Sequence, residues 1–451
     1  MTRLQPRDRR LLGFLTLAPL LVVALPALAA DLRIVWEEGF YPEEDTAIEA
    51  VVAAYEQASG KDVELTFYSQ EEVTDKTLAA LDAGDPPDLA LILGVGSYLP
   101  KWARDDVLAD LSDVVGPIED EFFPGVLDNV RLRNRQTGET AYYAVPIGQF
   151  GHYVHVWKSL LDQAGIGVDE IPREWDAFWA FWCDRVQPAV REATGRADFY
   201  GIGLPMSADA SDTVTGLDQF RDAYGFGYLS ADGELMLDDP AVRDKVVGIL
   251  TDYTAIWANE CTPPDAAEWT NIDNNKNFHD QRIAMTINST LSISNALRAK
   301  RPDDYYQNTV TITWPNGPDG KPFPIETGFI RVVVFKDARN IEGAKDFLRY
   351  LLSEGRLGAY LEASLGRGLP TMPALLDTPF WQDSKDPHRT AAVAQLRQPV
   401  APAYPNLNPK YGRVDEEAVW ERAVHRVAAD GLTPEQAADE AIARVKEILA
   451  D

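Results

Sequence analysis

The sequence predicts an α/β protein of two similar lobes, each a mostly parallel sheet flanked by helices. Three observations predict it. Short apolar strands alternate with amphipathic helices from Asp31 onward. The alternation recurs in both halves of the chain. A chain of 451 residues is also too long for one small core.

The first residues stand apart from that pattern. Arg3, Arg7, Arg9 and Arg10 precede an apolar run from Leu11 to Leu25, followed by Ala27-Leu28-Ala29. That charged, apolar, small-residue order is a secretory signal peptide over 1–29, cleaved near Ala29. The run is short for a membrane span and is interrupted by Pro19 and Pro26. No Cys follows it to carry a lipid, so the reading is an exported, soluble chain.

The elements then follow in order. "LRIVW" (32–36) is a strand, and "TAIEAVVAAYEQAS" (46–59) is a helix stopped at Gly60. "DVELTFY" (62–68) alternates like a strand, "EEVTDKTLAALDAG" is a helix ending at Gly84, and "PDLALIL" (87–93) is a buried strand. Such order builds a parallel sheet with crossover helices, whose ligands sit beyond the carboxyl ends of the strands. "TAYYAVP" (140–146) and "HYVHVW" (152–157) are strands. In "IPREWDAFWAFWCDRV", Trp175, Phe178, Trp179 and Trp182 recur at one helix face, which reads as core. "DDPAVRDKVVGILTDYTAIW" is a helix capped by Asp238 or Asp239 with Pro240 in its first turn. "IAMTI" (283–287) is a strand delivering Asn288, Ser289 and Thr290, and "TVTITWP" and "FIRVVVF" are strands. "NIEGAKDFLRYLLSEGRLGAYLEA" is a helix pair, and 433–449 is a helix announced by "TPEQ". The Pro-rich run 397–409 reads as a loop over the surface.

Charge and cysteine content narrow the function. The chain carries a net charge of −29, and the segment 1–29 is itself basic, so the exported part is more acidic still. That acidity argues against nucleic acid as a partner, because its affinity comes from Lys and Arg. Cys183 and Cys261 are the two cysteines. Export permits a bridge, and two buried thiols in separate helices fit the sequence equally.

Signatures of metal-dependent and nucleophilic enzymes are missing: the sequence has no H-E-x-x-H, G-x-S-x-G, C-x-x-C or phosphate-binding loop. No metal or cofactor is expected, while a glycosidase stays open, since two carboxylates suffice for it. Candidate ligand residues come from strand tips: Trp36 and Glu37 after the first strand, Ser97 and Tyr98 in a Gly-loosened loop, and Gln149, Phe150 and Tyr153 after "YYAVP". Asn288, Ser289, Thr290, Trp314, Glu326, Thr327 and Arg367 complete the set. Amides, carboxylates and a guanidinium give directional hydrogen bonds and Trp and Tyr give flat apolar faces, a mixture suited to a polyhydroxylated ligand. The amide-rich "TNIDNNKNF" (270–278) reads as a capping loop.

The ordered motifs resemble the extracellular solute-binding proteins of ABC importers, in the carbohydrate-binding family that includes the maltose-binding proteins. They are "YEQASGKDVEL", "LDAGDPPDLALI", "DVLADLSDVV", "YYAVPIGQFGHYVHVWKSLLDQAGI", "IPREWDAFWAF", "FHDQRIAMTINST" and "NIEGAKDFLRYLLSEG". The resemblance covers nearly the whole exported chain. It departs at Leu93-Gly94, where an acidic residue is frequent in the family, at Trp157, and at Asn288-Ser289. The resemblance implies the two-lobed periplasmic-binding-protein fold with a ligand cleft at the hinge. It implies a first lobe of 30–145 plus 292–335 and a second of 146–291 plus 336–451. It further implies a monomeric, periplasmic, non-enzymatic protein that captures a sugar, oligosaccharide or polyol for an ABC permease. The alternatives are a binder of an amino acid or polyamine, with Trp36, Glu37 and Glu326 around the cation, and a secreted hydrolase with paired carboxylates.

Overall fold

The structure is a computed structural model that describes residues 30–450 except Gly94, Thr327, Glu354, 397–399 and Pro402. The segment 1–29, expected to be a signal peptide, therefore lies outside the described residues.

Strands β1 (Leu32–Glu37), β2 (Val63–Tyr68) and β3 (Leu89–Leu91) pair in parallel in the order β2-β1-β3. The helices Pro42–Ser59 and Gln70–Asp82 cross between them. Gly60 ends the first helix at φ +69°, donating its N–H to the Glu56 carbonyl at 2.8 Å, the left-handed stop that glycine adopts without strain. A hairpin of β4 (Arg131–Arg133) and β5 (Thr140–Tyr142) leads to β6 (Val145–Gln149). The chain then leaves for a second sheet. There β7 (Tyr153–Val156), β8 (Tyr200–Gly203), β9 (Ile283–Asn288) and β10 (Val310–Ile312) lie in the order β10-β7-β9-β8. It returns through β11 (Ile325–Glu326) to β12 (Phe329–Val334), which inserts between β3 and β6. Finally β13 (Val400–Ala401) pairs with β11 before the last helices.

Strands β9 and β12 are buried at all six positions, as continuous apolar central strands must be. The parallel expectation holds for β2-β1-β3 and for β8-β9. By contrast β12 runs antiparallel to both neighbours, and β7 runs antiparallel to β9 and β10. The sheets are thus mixed.

The expected lobe boundaries need correction. Ile293, Leu297, Tyr305, Trp314 and Phe323, placed in the first lobe by resemblance, pack in the second-lobe core with β7 to β9. Ala344, Phe347, Leu348 and Leu357, placed in the second, pack in the first-lobe core against Ile34 and Ile48. The apolar faces of the helices Ser292–Lys300 and Ile341–Leu352 decide this, since each covers the sheet it adjoins. The aromatic stripe Trp175, Phe178, Trp179 and Trp182 is buried in the second core as expected.

Caps anticipated from sequence are in place. Asp239 accepts from the Ala241 N–H at 2.9 Å, with Pro240 in the first turn. Thr433 and Gln436 exchange hydrogen bonds at 3.0 and 3.3 Å. Cys183 and Cys261 form a disulfide closing 78 residues of separation. It ties the turn Phe181–Val186 to the chain just beyond the helix Pro240–Ala258. Replacing both with Ala is expected to destabilise the second lobe by about 3–4 kcal/mol through the entropy of the unfolded chain. Urea unfolding of that variant beside the wild type measures it, and coincident midpoints would show that the bridge contributes nothing. Among the described residues no helix is long and apolar enough to cross a membrane.

Candidate functional site

The facing edges of the two lobes enclose a cavity of about 540 Å³, in the range that holds a small-molecule ligand. Its first-lobe wall comes from strand ends and helix starts: Glu37 at the end of β1, Gln70 and Thr74 on one helix, and Ser97 on another. Its second-lobe wall is the polar face of the helix Ser211–Ala223, which brings Asp212, Thr215 and Gln219 to the cavity at one-turn spacings. Asn288 ends β9, Ser289 and Thr290 follow it, and Tyr404, Trp420 and Glu421 come from the C-terminal helices.

The tip of β9 is held by its own amides. Asn288 Oδ1 accepts from the Thr290 N–H at 2.8 Å and the Thr290 hydroxyl at 3.0 Å, and Asn288 Nδ2 donates to Asn275 Oδ1 at 3.2 Å. Asn274 donates to Asp212 at 2.7 Å and to the Ile287 carbonyl at 3.2 Å. The amide-rich segment therefore forms the helix Asp273–His279, which braces the loop and the wall, while its Asn271 reaches the cavity. Asn288 thus holds Thr290 in place, and the Ser289 carbonyl accepts from the Gly151 N–H at 3.1 Å on the passage between lobes.

Arg367 lines the cavity, but its guanidinium is committed. It pairs with Glu44 and lies 4.6 Å from the centroid of the Phe40 ring, fixing that ring at the cleft. Burial pushes the Glu44 carboxyl up while Arg367 pulls it down. Glu37 also lines the cavity, and its carboxylate accepts from the Leu93 N–H at 2.9 Å.

The second-lobe wall carries an aromatic cluster and groups with few partners. Trp420 stacks on Tyr228 with centroids 4.2 Å apart and donates its indole N–H to the Tyr411 hydroxyl at 2.8 Å. Arg221 lies over Tyr404 at 4.8 Å and pairs with Asp218 at 2.7 Å. Gln219 is fully buried, and among the described residues neither its amide nitrogen nor its oxygen has a hydrogen-bond partner. Burial pushes the carboxyls of Asp212 and Glu421 up to about 7, against the opposing pull of Asn274 on the first and of backbone and Arg422 on the second.

Glu37, Ser97, Phe150, Asn288, Ser289, Thr290 and Arg367, all expected from sequence, line this one cavity. Five expected residues do not. Trp36 faces the first-lobe core and meets Tyr360 edge-on at 6.1 Å, because strand alternation puts it with Leu32 and Ile34. Tyr98 packs on Trp102 at 5.4 Å, in a helix (Val95–Arg104) where a loop was expected. Gln149 donates to the Pro370 carbonyl at 2.6 Å, Tyr153 is buried with the first-lobe core, and Trp314 sits 6.0 Å from Trp179 in the second core. Glu326 pairs with Ala401 in the short β11–β13 ladder, and Thr327 lies outside the described residues. The run 397–409 is no surface loop over its described length, since Ala403, Tyr404 and Pro405 line the cavity.

Gln219, Asp212, Tyr404 and Trp420 were not anticipated. The polar spacing of Asp212, Thr215 and Gln219 was readable as a helix face, yet nothing local marks that face as turned to a cleft. Among the described residues no three His, Cys, Asp or Glu side chains are arranged to hold a metal ion.

Two α/β lobes joined by several chain passages and facing each other across a polar, aromatic cavity define a solute-binding architecture. The chain belongs to the bacterial extracellular solute-binding protein family, whose model matches residues 50–391. Solved structures share the fold. An ABC transporter solute-binding protein from Thermotoga lettingae, bound with alpha-D-tagatose, is 23% identical, with a TM-score of 0.74 over 93% of this chain and 99% of that one. Maltose-bound MalE3 of T. maritima is 18% identical, with a TM-score of 0.74 over 92% and 100%. The GacH receptor of Streptomyces glaucescens, solved unliganded and with acarbose, is 17% identical, with a TM-score of 0.75 over 93% and 98%. No curated protein matches the chain.

Proposed function

We propose that this protein captures a sugar, oligosaccharide or polyol in the interlobe cavity and hands it to the membrane permease of an ABC importer, without covalent chemistry. It works as a monomer outside the cytoplasmic membrane, exported by the segment 1–29. The observation that carries the reading is Gln219. An amide buried without partners costs free energy on both its nitrogen and its oxygen, and a hydroxyl, which donates and accepts, answers both. Trp420 and Tyr404 line the same cavity, and aromatic surface suits the C–H face of a sugar. The carbohydrates named for the tagatose, maltose and acarbose complexes point the same way.

The test is thermal unfolding of the exported chain against sugars, polyols, amino acids and polyamines. A ligand at a hundred times its dissociation constant should stabilise by about 2.7 kcal/mol. With the responding carbohydrate, Gln219→Ala is expected to weaken binding at least tenfold, since Gln219 makes no hydrogen bond within the described protein that its loss would break. A response to amino acids or polyamines alone would overturn the carbohydrate reading.

A further inference from the structure

We infer that Glu421 decides which carbohydrates this cleft accepts: its carboxyl takes hydrogen bonds from ligand hydroxyls and turns away sugars that carry a carboxylate. The inference rests on the carbohydrate reading above and narrows its substrate class to neutral sugars and polyols. Its basis is the set of partners that each charge in the cavity wall has within the protein.

Among the described residues five carboxylates line the cavity, and four of them are engaged. Glu37 accepts from the Leu93 N–H at 2.9 Å and Asp212 from the Asn274 amide at 2.7 Å. Asp218 pairs with Arg221 at 2.7 Å, and Asp415 is engaged as well. Glu421 differs. It is 7% exposed, and among the described residues it accepts only from its own backbone. Its charged neighbour is Arg422, whose guanidinium donates instead to the Glu417 carbonyl at 2.8 Å. Arg331 and Arg367 also line the cavity, but neither acts on Glu421. Arg367 pairs with Glu44, and Arg331 lies over the Phe329 ring at 5.4 Å.

The backbone here is held in an unusual shape. Ala418, which caps the helix Val419–Ala428, stands at φ +49° and ψ +48°, in the left-handed region that alanine seldom occupies. Trp420 then pins the first turn by stacking on Tyr228 and donating to the Tyr411 hydroxyl. Glu421 is thereby fixed at the cavity with lone pairs that nothing in the protein fills, and a buried acceptor left unmet is costly. Adjacent hydroxyls of a sugar supply donors to both oxygens and bring no charge. No other carboxylate acts on Glu421, so the wall presents one acceptor group here rather than a cage for a cation. A ligand carboxylate brings no donor and meets five lining carboxylates against two guanidiniums, and like charges brought together suppress binding.

The test is titration calorimetry of the whole exported chain with neutral carbohydrates and their acidic counterparts: glucose against glucuronate, galactose against galacturonate, and cellobiose against cellobionate. Where thermal unfolding singles out a different carbohydrate, that sugar and its uronate replace these pairs. The neutral member of the responding pair is expected to bind at least a hundredfold more tightly. Glu421→Gln keeps the shape and gives the side chain a donor, so it should narrow that preference at least tenfold while circular dichroism stays unchanged. Glu421→Asp, which keeps the charge, should retain the preference. Equal or tighter binding of the acidic member overturns the inference and leaves the carbohydrate reading standing. A preference undiminished in Glu421→Gln overturns it as well. If no carbohydrate of any kind binds while another solute does, the carbohydrate reading fails and the inference fails with it.

Discussion

Asp212→Asn is expected to make the ligand-free protein more stable at pH 8 and no more stable near pH 4. Burial raises the Asp212 carboxyl to about 7 in the folded protein, while an unfolded Asp titrates near 3.9. Between those values the folded state holds a proton that the unfolded state has released. Stability therefore falls as pH rises through that window, and the penalty is complete above about 7. A gap of that size corresponds to something on the order of 4 kcal/mol, an upper figure for a group that also borders a cavity. The replacement amide cannot ionise, and its oxygen still accepts from Asn274. Urea midpoints at pH 4 and pH 8 measure the difference, and identical midpoints at pH 8 would mean that the carboxylate is not strained. The same substitution should weaken ligand binding, so stability and affinity would move in opposite directions. Such a divergence is expected where a fold tolerates a buried charge for the sake of a ligand.

The strand-helix order was readable because period and punctuation agree. Leu32, Ile34 and Trp36 alternate, the helix Pro42–Ser59 ends at a glycine, and Asp239 and Thr433 stand where caps belong. The recurrence of that order in both halves marked the two lobes. Two kinds of information were not local. One is direction within an element. Trp36 stands at a strand tip, where ligand residues gather, yet the alternation that makes the strand readable assigns it to the core face. Gly94, Gly96 and Pro100 similarly read as a loop, whereas the chain from Val95 forms a helix despite Pro100. The other kind is approach in space. Asp212, Asn288 and Trp420 are far apart in sequence, and the cavity exists where folding brings their elements together. Each of those residues looks ordinary in its own segment. Gln219 is marked only by the partners it lacks, which a sequence does not display.

Gly412→Ala is expected to reduce ligand affinity at least tenfold while leaving the stability of the ligand-free protein the same or higher. Gly412 opens the short helix Gly412–Glu416 at φ −53°, a conformation any residue adopts, so its backbone does not call for glycine. Within a helix, Ala is in fact favoured over Gly by about 1 kcal/mol. What calls for glycine is the other lobe. A Cβ built at Gly412 would lie 2.4 Å from the Ser97 carbonyl oxygen of the first-lobe helix Val95–Arg104. That neighbour is backbone and cannot rotate away. The same rim carries a hydrogen bond of 3.0 Å from Asn406 of the second lobe to Asn129 of the first. Closing the lobes to this distance completes the cavity wall at Ser97, Tyr411 and Asp415. A methyl group at 412 therefore opposes the closed arrangement without touching the ligand, and it tolerates the open one. Since apparent affinity scales with the fraction of protein able to close, a cost of about 1.4 kcal/mol on closure is a tenfold loss. Small-angle scattering with saturating ligand would show whether the variant stays more extended than wild type. Unchanged affinity together with full compaction would mean that the Gly412–Ser97 approach is incidental to closure.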